Sequence, residues 1–318
     1  MKKMHLFIII CLVSFLGVGS IFAQEEKIHK TFTGIREVQI KTTSGDCEIK
    51  QGTTAETIVD VVYSVQPGDS FEPDIQERAG VLKLRERWYG SSSGRVNWTL
   101  TVPAETDIDF STASGELFIN GLDNKIEASA ASGDITVEEC KGDFDISTAS
   151  GDISLRGVSG NFDLSTASGE IKADNIEGEI ELSTASGDIQ VDGSKGTFDL
   201  SCASGEIEAK LIIIEGESSF STASGEVEIR LAESSQFDLE LTSASGDVTL
   251  DYGGNTVKGY FEFTARKQRG RIISPFDFDK EEEFGRNEHL YVRKSFTKGA
   301  AEPKIFLETS SGRVTLKK

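Results

Sequence analysis

Apolar residues along the middle of the chain fall at every second position, in pairs of short runs that recur every 18 residues. The repeat is marked by Ala-Ser-Gly followed by Asp or Glu. Its glycine stands at Gly115, Gly133, Gly151, Gly169, Gly187 and Gly205, then at Gly225 and Gly246 after spacings of 20 and 21. Seven residues before these glycines come Ile108, Ile126, Phe144, Phe162, Ile180 and Phe198, and five before come Phe110, Ala128, Ile146, Leu164, Leu182 and Leu200. Two residues after them are Leu117, Ile135, Ile153, Ile171, Ile189 and Ile207, and four after are Ile119, Val137, Leu155, Ala173, Val191 and Ala209. Alternation of period two means a β-strand with one buried face. Each unit therefore predicts two short strands that meet at the Ser-Gly. A second turn separates them again and often carries glycine, at Gly142, Gly160, Gly178 and Gly196.

Self-similarity at a fixed period signals an array of stacked units. An antiparallel meander of hairpins would also accommodate two strands per repeat. Matching residues in every column favour stacked parallel coils instead, because like side chains then lie on like from rung to rung. The apolar offsets lack the six-residue spacing of the left-handed hexapeptide helix, so the expectation is all-β: a single-stranded β-solenoid, a right-handed parallel β-helix with coils of about 18 residues. Isolated copies of the marker at Ser44-Gly45-Asp46 and Ser311-Gly312-Arg313 extend the pattern. The expected organisation is a leader at 1–23, N-terminal β coils forming a cap at 24–104, regular 18–21-residue repeats at 105–251, and C-terminal coils with an irregular insertion at 252–318. Caps are expected because an open sheet end is an aggregation template.

The string Ser-Thr-Ala-Ser-Gly-Asp-Ile at 147–153, the stretch Asn-Trp-Thr-Leu-Thr-Val-Pro at 97–103 and Ser-Ser-Gly-Arg-Val at 310–314 together resemble the bacterial putative-adhesin family. These are adhesin-like β-helix repeat domains of unknown function, related to the head domains of autotransporter-like adhesins. The resemblance spans roughly 30–318. It implies a β-helix and an adhesin-like role, and it carries no catalytic residues onto this chain.

Composition agrees with a strand-rich globular chain: of 318 residues, 37% are hydrophobic and 27% charged, with 32 glycines and only 5 prolines. The net charge is −20, which disfavours any phosphate backbone and argues against a nucleic-acid partner. Most of it is local, since 105–251 hold 32 acidic and 7 basic residues while 252–318 hold 9 and 14. Lys2 and Lys3, an apolar run from Leu6 to Val18 and Ser20-Ile21-Phe22-Ala23 before Gln24 match an export signal peptide. No later apolar run is long enough to span a bilayer, so the mature chain is expected to be exported, to the periplasm or the cell surface, without a transmembrane span.

The positions that suggest chemistry are acidic. Glu116, Asp134, Asp152, Glu170, Asp188 and Glu206 directly follow the repeat glycines, and Asp109, Glu127, Asp145, Asp163, Glu181 and Asp199 form a second outward column. Neighbouring carboxylates one rung apart repel by on the order of 0.9 kcal/mol in water. The columns read either as a solvated face or as a ladder that binds a divalent cation such as calcium, since hard cations take several carboxylate oxygens. Between them lies a hydroxyl column that includes Ser147, Ser165, Ser183 and Ser201. Either its hydroxyls bond along the stack, or it is a flat docking strip for a glycan or protein. Cys47, Cys140 and Cys202 occupy inward positions and are expected to be buried free thiols. The run Arg266-Lys267-Gln268-Arg269-Gly270-Arg271 reads as a solvated loop, or as a contact for the acidic repeats or an anionic envelope surface. His29 and His289 lie far apart, and no nucleophile-and-base or phosphate-loop motif is visible.

These observations predict no resident cofactor and a non-enzymatic structural or adhesin-like binding module of the cell envelope. Its partners would be a surface glycan or an envelope protein; no oligomeric state is fixed. The alternatives are a periplasmic scaffold or stress-response partner that binds proteins only, and a polysaccharide-degrading β-helix enzyme.

Overall fold

The computed structural model describes residues 25–318; the expected leader lies outside them. Among the described residues every regular element is a β-strand, and no helix is long and apolar enough to cross a membrane. The chain forms two compact units, one ending at Ile135 and the other Thr136–Lys318. The division falls inside the 105–251 repeats, so each unit combines regular coils with an irregular terminal segment.

In the second unit the repeats stack in parallel and in register. Phe144, Phe162, Ile180 and Phe198 are successive Cα partners on one sheet, as are Ile146, Leu164, Leu182 and Leu200. On the other sheet Ile153, Ile171, Ile189 and Ile207 pair in turn. The parallel register makes this a β-solenoid and excludes the hairpin meander. All of these side chains are buried, and burial of each stabilises by about 1.5–3 kcal/mol. The Phe144 and Phe162 rings stack at 5.1 Å and 8°.

Threonine closes the corner at Ser-Gly. Thr166 Oγ1 accepts the Gly169 N–H at 3.0 Å and donates to the Gly151 carbonyl of the neighbouring coil at 3.3 Å. Thr184 repeats both contacts, and Thr222, Ser243 and Thr309 donate to Gly205, Gly225 and Gly246. Each such bond satisfies a backbone group that the turn would otherwise leave buried and unpaired. Cys202 sits in this inward column and Cys140 in another; these two and Cys47 are buried, and none forms a disulfide among the described residues. Burial pushes the thiols of Cys47 and Cys202 up, and for Cys47 the Glu86, Glu48 and Asp46 carboxylates add to it. Raised thiol values disfavour the reactive thiolate.

Stack order departs from chain order at the irregular ends. In the first unit the strands Glu37–Lys41 and Asp46–Gln51 lie directly against Asp107–Thr112 and Leu117–Asn120. The strands Val81–Trp88 and Ser93–Val102 pack on their other side. In the second unit Lys304–Thr309 and Gly312–Lys317 dock on Leu239–Ser245 and Val248–Asp251, and Gly259–Arg266 and Gly270–Ile273 lie beyond them. The isolated marker copies thus join the coils they resemble: a Cβ on Gly115 would lie 2.1 Å from the Gly45 carbonyl oxygen, and one on Gly312 would lie 2.2 Å from that of Gly246. Antiparallel pairing is confined to these ends, for example Glu26–Thr33 with Glu56–Gln66 and Lys280–Arg286 with His289–Lys298.

A buried hydroxyl in the second unit lacks a hydrogen-bond partner among the described residues. Tyr252 is fully buried, 6.1 Å from the Phe261 ring, and its hydroxyl has no partner among the described residues. An unpaired buried hydroxyl costs about 1–3 kcal/mol. Tyr252→Phe is therefore expected to stabilise the chain by about 1 kcal/mol, raising Tm by roughly 2–4 °C in thermal unfolding. An unchanged or lower Tm would mean that the hydroxyl has a partner.

Candidate functional site

The outward residues of the coils form a regularly repeating surface among the described residues, and their chemistry follows from strand parity. In the second unit the hydroxyl column of Ser147, Ser165, Ser183 and Ser201 runs in register from rung to rung. All four side chains are half-buried. Their hydroxyls make no side-chain hydrogen bond to the described residues, so the expected serine ladder along the stack does not form. The inward column does that bonding, mostly through threonine and at Ser243 through serine, because it faces the glycine carbonyls at the corner.

The acidic column after the glycines is partly structural. Asp152 Oδ1 accepts the Glu170 backbone N–H of the next coil at 2.8 Å, and Asp188 Oδ1 accepts that of Glu206 at 2.8 Å. In the first unit Asp46 does the same for Glu116 at 3.1 Å, and Asp134 is exposed in the same column. A short Asp side chain reaches the neighbouring rung. Glu170 instead turns to Lys172 at 2.7 Å. A charge-assisted bond to a backbone N–H offsets part of the repulsion between adjacent acids.

A third outward column, two residues beyond the acids, joins them. Asp188, Gln190, Glu206, Glu208, Glu226 and Glu228 line a shallow, open hollow of about 90 Å³ in the second unit. Lys210 neutralises Glu208 at 2.6 Å and Lys317 neutralises Glu228 at 3.1 Å. Glu206 and Glu226 have no ion-pair partner among the described residues, which leaves a local negative potential. Glu208 and Glu228 escaped the sequence reading because their column also holds Ser154, Lys172 and Thr249; outward parity alone could have placed them. No group of three or more Asp, Glu, His or Cys side chains among the described residues is arranged to hold a metal ion.

Where the column ends, the acid meets arginine. Asp247 Oδ1 accepts the Arg313 backbone N–H at 2.8 Å and Oδ2 accepts its Nε–H at 2.8 Å. Partial burial pushes the Asp247 carboxyl up, but the two Arg313 donors and the guanidinium charge outweigh it and hold it below the ordinary value. A lowered folded value means the stabilisation is complete above the unfolded value near 3.9 and is lost as pH falls through the folded one. Asp247→Asn is expected to lower Tm at pH 7 by a few degrees, about 1 kcal/mol after allowance for solvent screening. The difference should shrink below about pH 4; a pH-independent difference in calorimetry would reject the ion pair as its source. Asp109 shows the opposite case: partial burial and the Glu127 and Glu37 charges raise its carboxyl.

The basic run 266–271 is not a free loop. Arg266 ends the strand Gly259–Arg266, and Gly270-Arg271-Ile272 opens the next one, in register with Gly312-Arg313-Val314. The turn is held to a neighbouring one by the Lys267 N–H on the Leu290 carbonyl at 2.9 Å and by Arg266 against His289 at 3.0 Å.

The family model described as Toastrack DUF4097 matches residues 35–272. Among solved structures, a putative adhesin from Parabacteroides merdae is 12% identical over 93% of this chain and 97% of its own, with a TM-score of 0.44. A putative lipid binding protein from Parabacteroides distasonis is 13% identical over 92% and 97%, with a TM-score of 0.43. A putative adhesin from Bacteroides fragilis is 11% identical over 93% and 100%, with a TM-score of 0.35. None of these likenesses is close enough to transfer a ligand. No curated protein matches the chain.

Proposed function

Starting from the premise that the chain belongs to the Toastrack DUF4097 family, we propose that it is an exported, non-enzymatic module of the cell envelope that binds a surface glycan or an envelope protein in the manner of an adhesin. The observation that carries this reading is the in-register outward face. Ser147, Ser165, Ser183 and Ser201 hold hydroxyls without a side-chain hydrogen bond among the described residues, at successive rungs about 4.8 Å apart, beside carboxylates that lean on the next coil. A rigid row of identical donors and acceptors suits a ligand that is itself extended or repetitive. The export signal read at 1–23 supports an envelope location, and the fixed acidic columns keep the face hydrated.

A glycan array and a pull-down with the mature chain, together with protease shaving of intact cells, test the proposal. Saturable binding that is lost when Ser165 and Ser183 are both replaced by lysine is the expected outcome. Absence of any ligand together with protection from the protease would reject adhesion and leave a periplasmic protein-binding scaffold. Turnover of an acidic polysaccharide would reject the non-enzymatic reading.

A further inference from the structure

We propose that the free edge of the strand Gly270–Ile273 is a docking site for an extended peptide segment, which adds to the sheet as one more rung. This goes beyond the outward-face reading and uses none of its residues.

The strand pairs only with Gly312–Lys317 among the described residues, so backbone N–H and C=O groups on its other edge are open. Other strands at sheet ends are protected by the usual devices. Glu26–Thr33 carries Glu26, Lys27, His29 and Lys30, Phe71–Arg78 carries Pro73 among charges, and Lys280–Arg286 carries three consecutive glutamates. Gly270–Ile273 has a single charge, Arg271, and no proline.

Its side chains show that a rung is missing. Elsewhere in the second unit the residue two after the repeat glycine is buried, including Val248 and Val314 at 0% exposure. Ile272 takes the same column and is only half-buried, and Ile273 beside it is 46% exposed. Arg271 takes the column that holds Asp152, Glu170, Asp188, Glu206, Glu226 and Asp247 further along, and then Arg313. Arg313 is paired with Asp247. Arg271 and the neighbouring Arg269 are exposed and have no carboxylate partner among the described residues.

The occupant is therefore an extended segment with a carboxylate opposite Arg271 and an aliphatic residue beside Ile272, the pattern of this chain's own Gly-Asp-Ile rungs. Main-chain bonds would supply affinity, and the acid and the aliphatic group would supply register. Edge-to-edge pairing with Glu26–Thr33 of a second copy is disfavoured, because Lys27, His29 and Lys30 would meet Arg269 and Arg271.

The test uses a fluorescein-labelled peptide of residues 149–156, Ala-Ser-Gly-Asp-Ile-Ser-Leu-Arg, titrated with the mature chain and read by anisotropy. Saturable binding is expected. Arg271→Glu should weaken it by about tenfold or more, and a peptide with lysine in place of its aspartate should bind that variant better than it binds the native chain. Ile273→Lys, at an exposed position, should weaken binding without changing Tm. No saturable binding, or equal binding of a scrambled peptide, overturns the proposal. Concentration-dependent dimerisation abolished by Arg271→Glu would place a second copy at the edge and overturn the choice of occupant. None of these outcomes bears on the serine face, so the two readings fail separately.

Discussion

Gly178→Ala is expected to destabilise the second unit by about 3–5 kcal/mol, enough to lower its Tm by ten degrees or more or to prevent folding. Gly178 has φ +141°, and a Cβ there would lie 1.8 Å from the Gly160 carbonyl oxygen of the adjacent coil. Two costs combine: a left-handed backbone that an L-residue resists, and a backbone contact that cannot give because the same sheet fixes both rungs. Two further variants separate them. Gly187 lacks a left-handed φ, yet a Cβ there would lie 1.7 Å from the Gly169 carbonyl oxygen, so Gly187→Ala carries the steric cost alone. Gly254 has φ +87° with nothing within 4 Å, so Gly254→Ala carries only strain, about 1 kcal/mol. Thermal and denaturant unfolding of the three should rank Gly178 worst and Gly254 mildest. Equal losses at all three would show that close packing of the coils is not what selects glycine.

That column was legible before any coordinates because parallel, in-register stacking places the same environment at every eighteenth residue, and selection at each rung leaves the same mark. The apolar columns and the inward cysteines follow from parity for the same reason. Features that do not repeat in residue type stay hidden. The corner six residues after the marker glycine is left-handed at Glu139, Gly157, Asn175, Gly193 and Leu211, with φ between 52° and 64°. Three different residue types beside glycine mask one conformation. Parity showed which hydroxyls face inward, but not that the inward column, mostly threonine with Ser243, would do the bonding while Ser147, Ser165, Ser183 and Ser201 do not.

Stack order at the ends was also illegible. A parallel edge accepts any strand with the right columns, so Glu37–Lys41 can meet Asp107–Thr112 across some seventy residues of chain. The rung Gly270-Arg271-Ile272 was obscured by Arg266, Lys267 and Arg269, which made a turn and a strand look like one basic loop.

Glu86 is the clearest case of a residue that no pattern announces, and its removal is the second large effect expected. Its carboxylate accepts four N–H donors: the indoles of Trp88 at 3.0 Å and Trp98 at 3.1 Å, and the backbone N–H groups of Thr43 at 2.8 Å and Ser44 at 3.3 Å. The last two open the turn at Ser44-Gly45-Asp46, and a Cβ on Gly45 would lie 2.0 Å from Oε1. One side chain therefore ties the strand Val81–Trp88 to a turn 42 residues earlier and to Trp98, which is 1% exposed. Glu86→Ala leaves four donors without an acceptor, and water can reach only those near the surface. Hydrogen bonds to a charged group contribute about 1.5–3 kcal/mol each when broken one-sidedly, and they are not additive, so a loss of about 3–5 kcal/mol is expected in the first unit. Glu86→Gln keeps an acceptor oxygen but turns an amide NH₂ toward other donors, for a loss of about 2 kcal/mol. The chain has only 2 tryptophans, and both are partners of Glu86, so selectively excited tryptophan fluorescence reports on the surroundings of this carboxylate. A red shift at native temperature, with early loss of the tryptophan signal on heating, is the expected result for Glu86→Ala. Unchanged emission with a Tm within a degree of the parent would show that the indoles and the turn hold their places without the carboxylate.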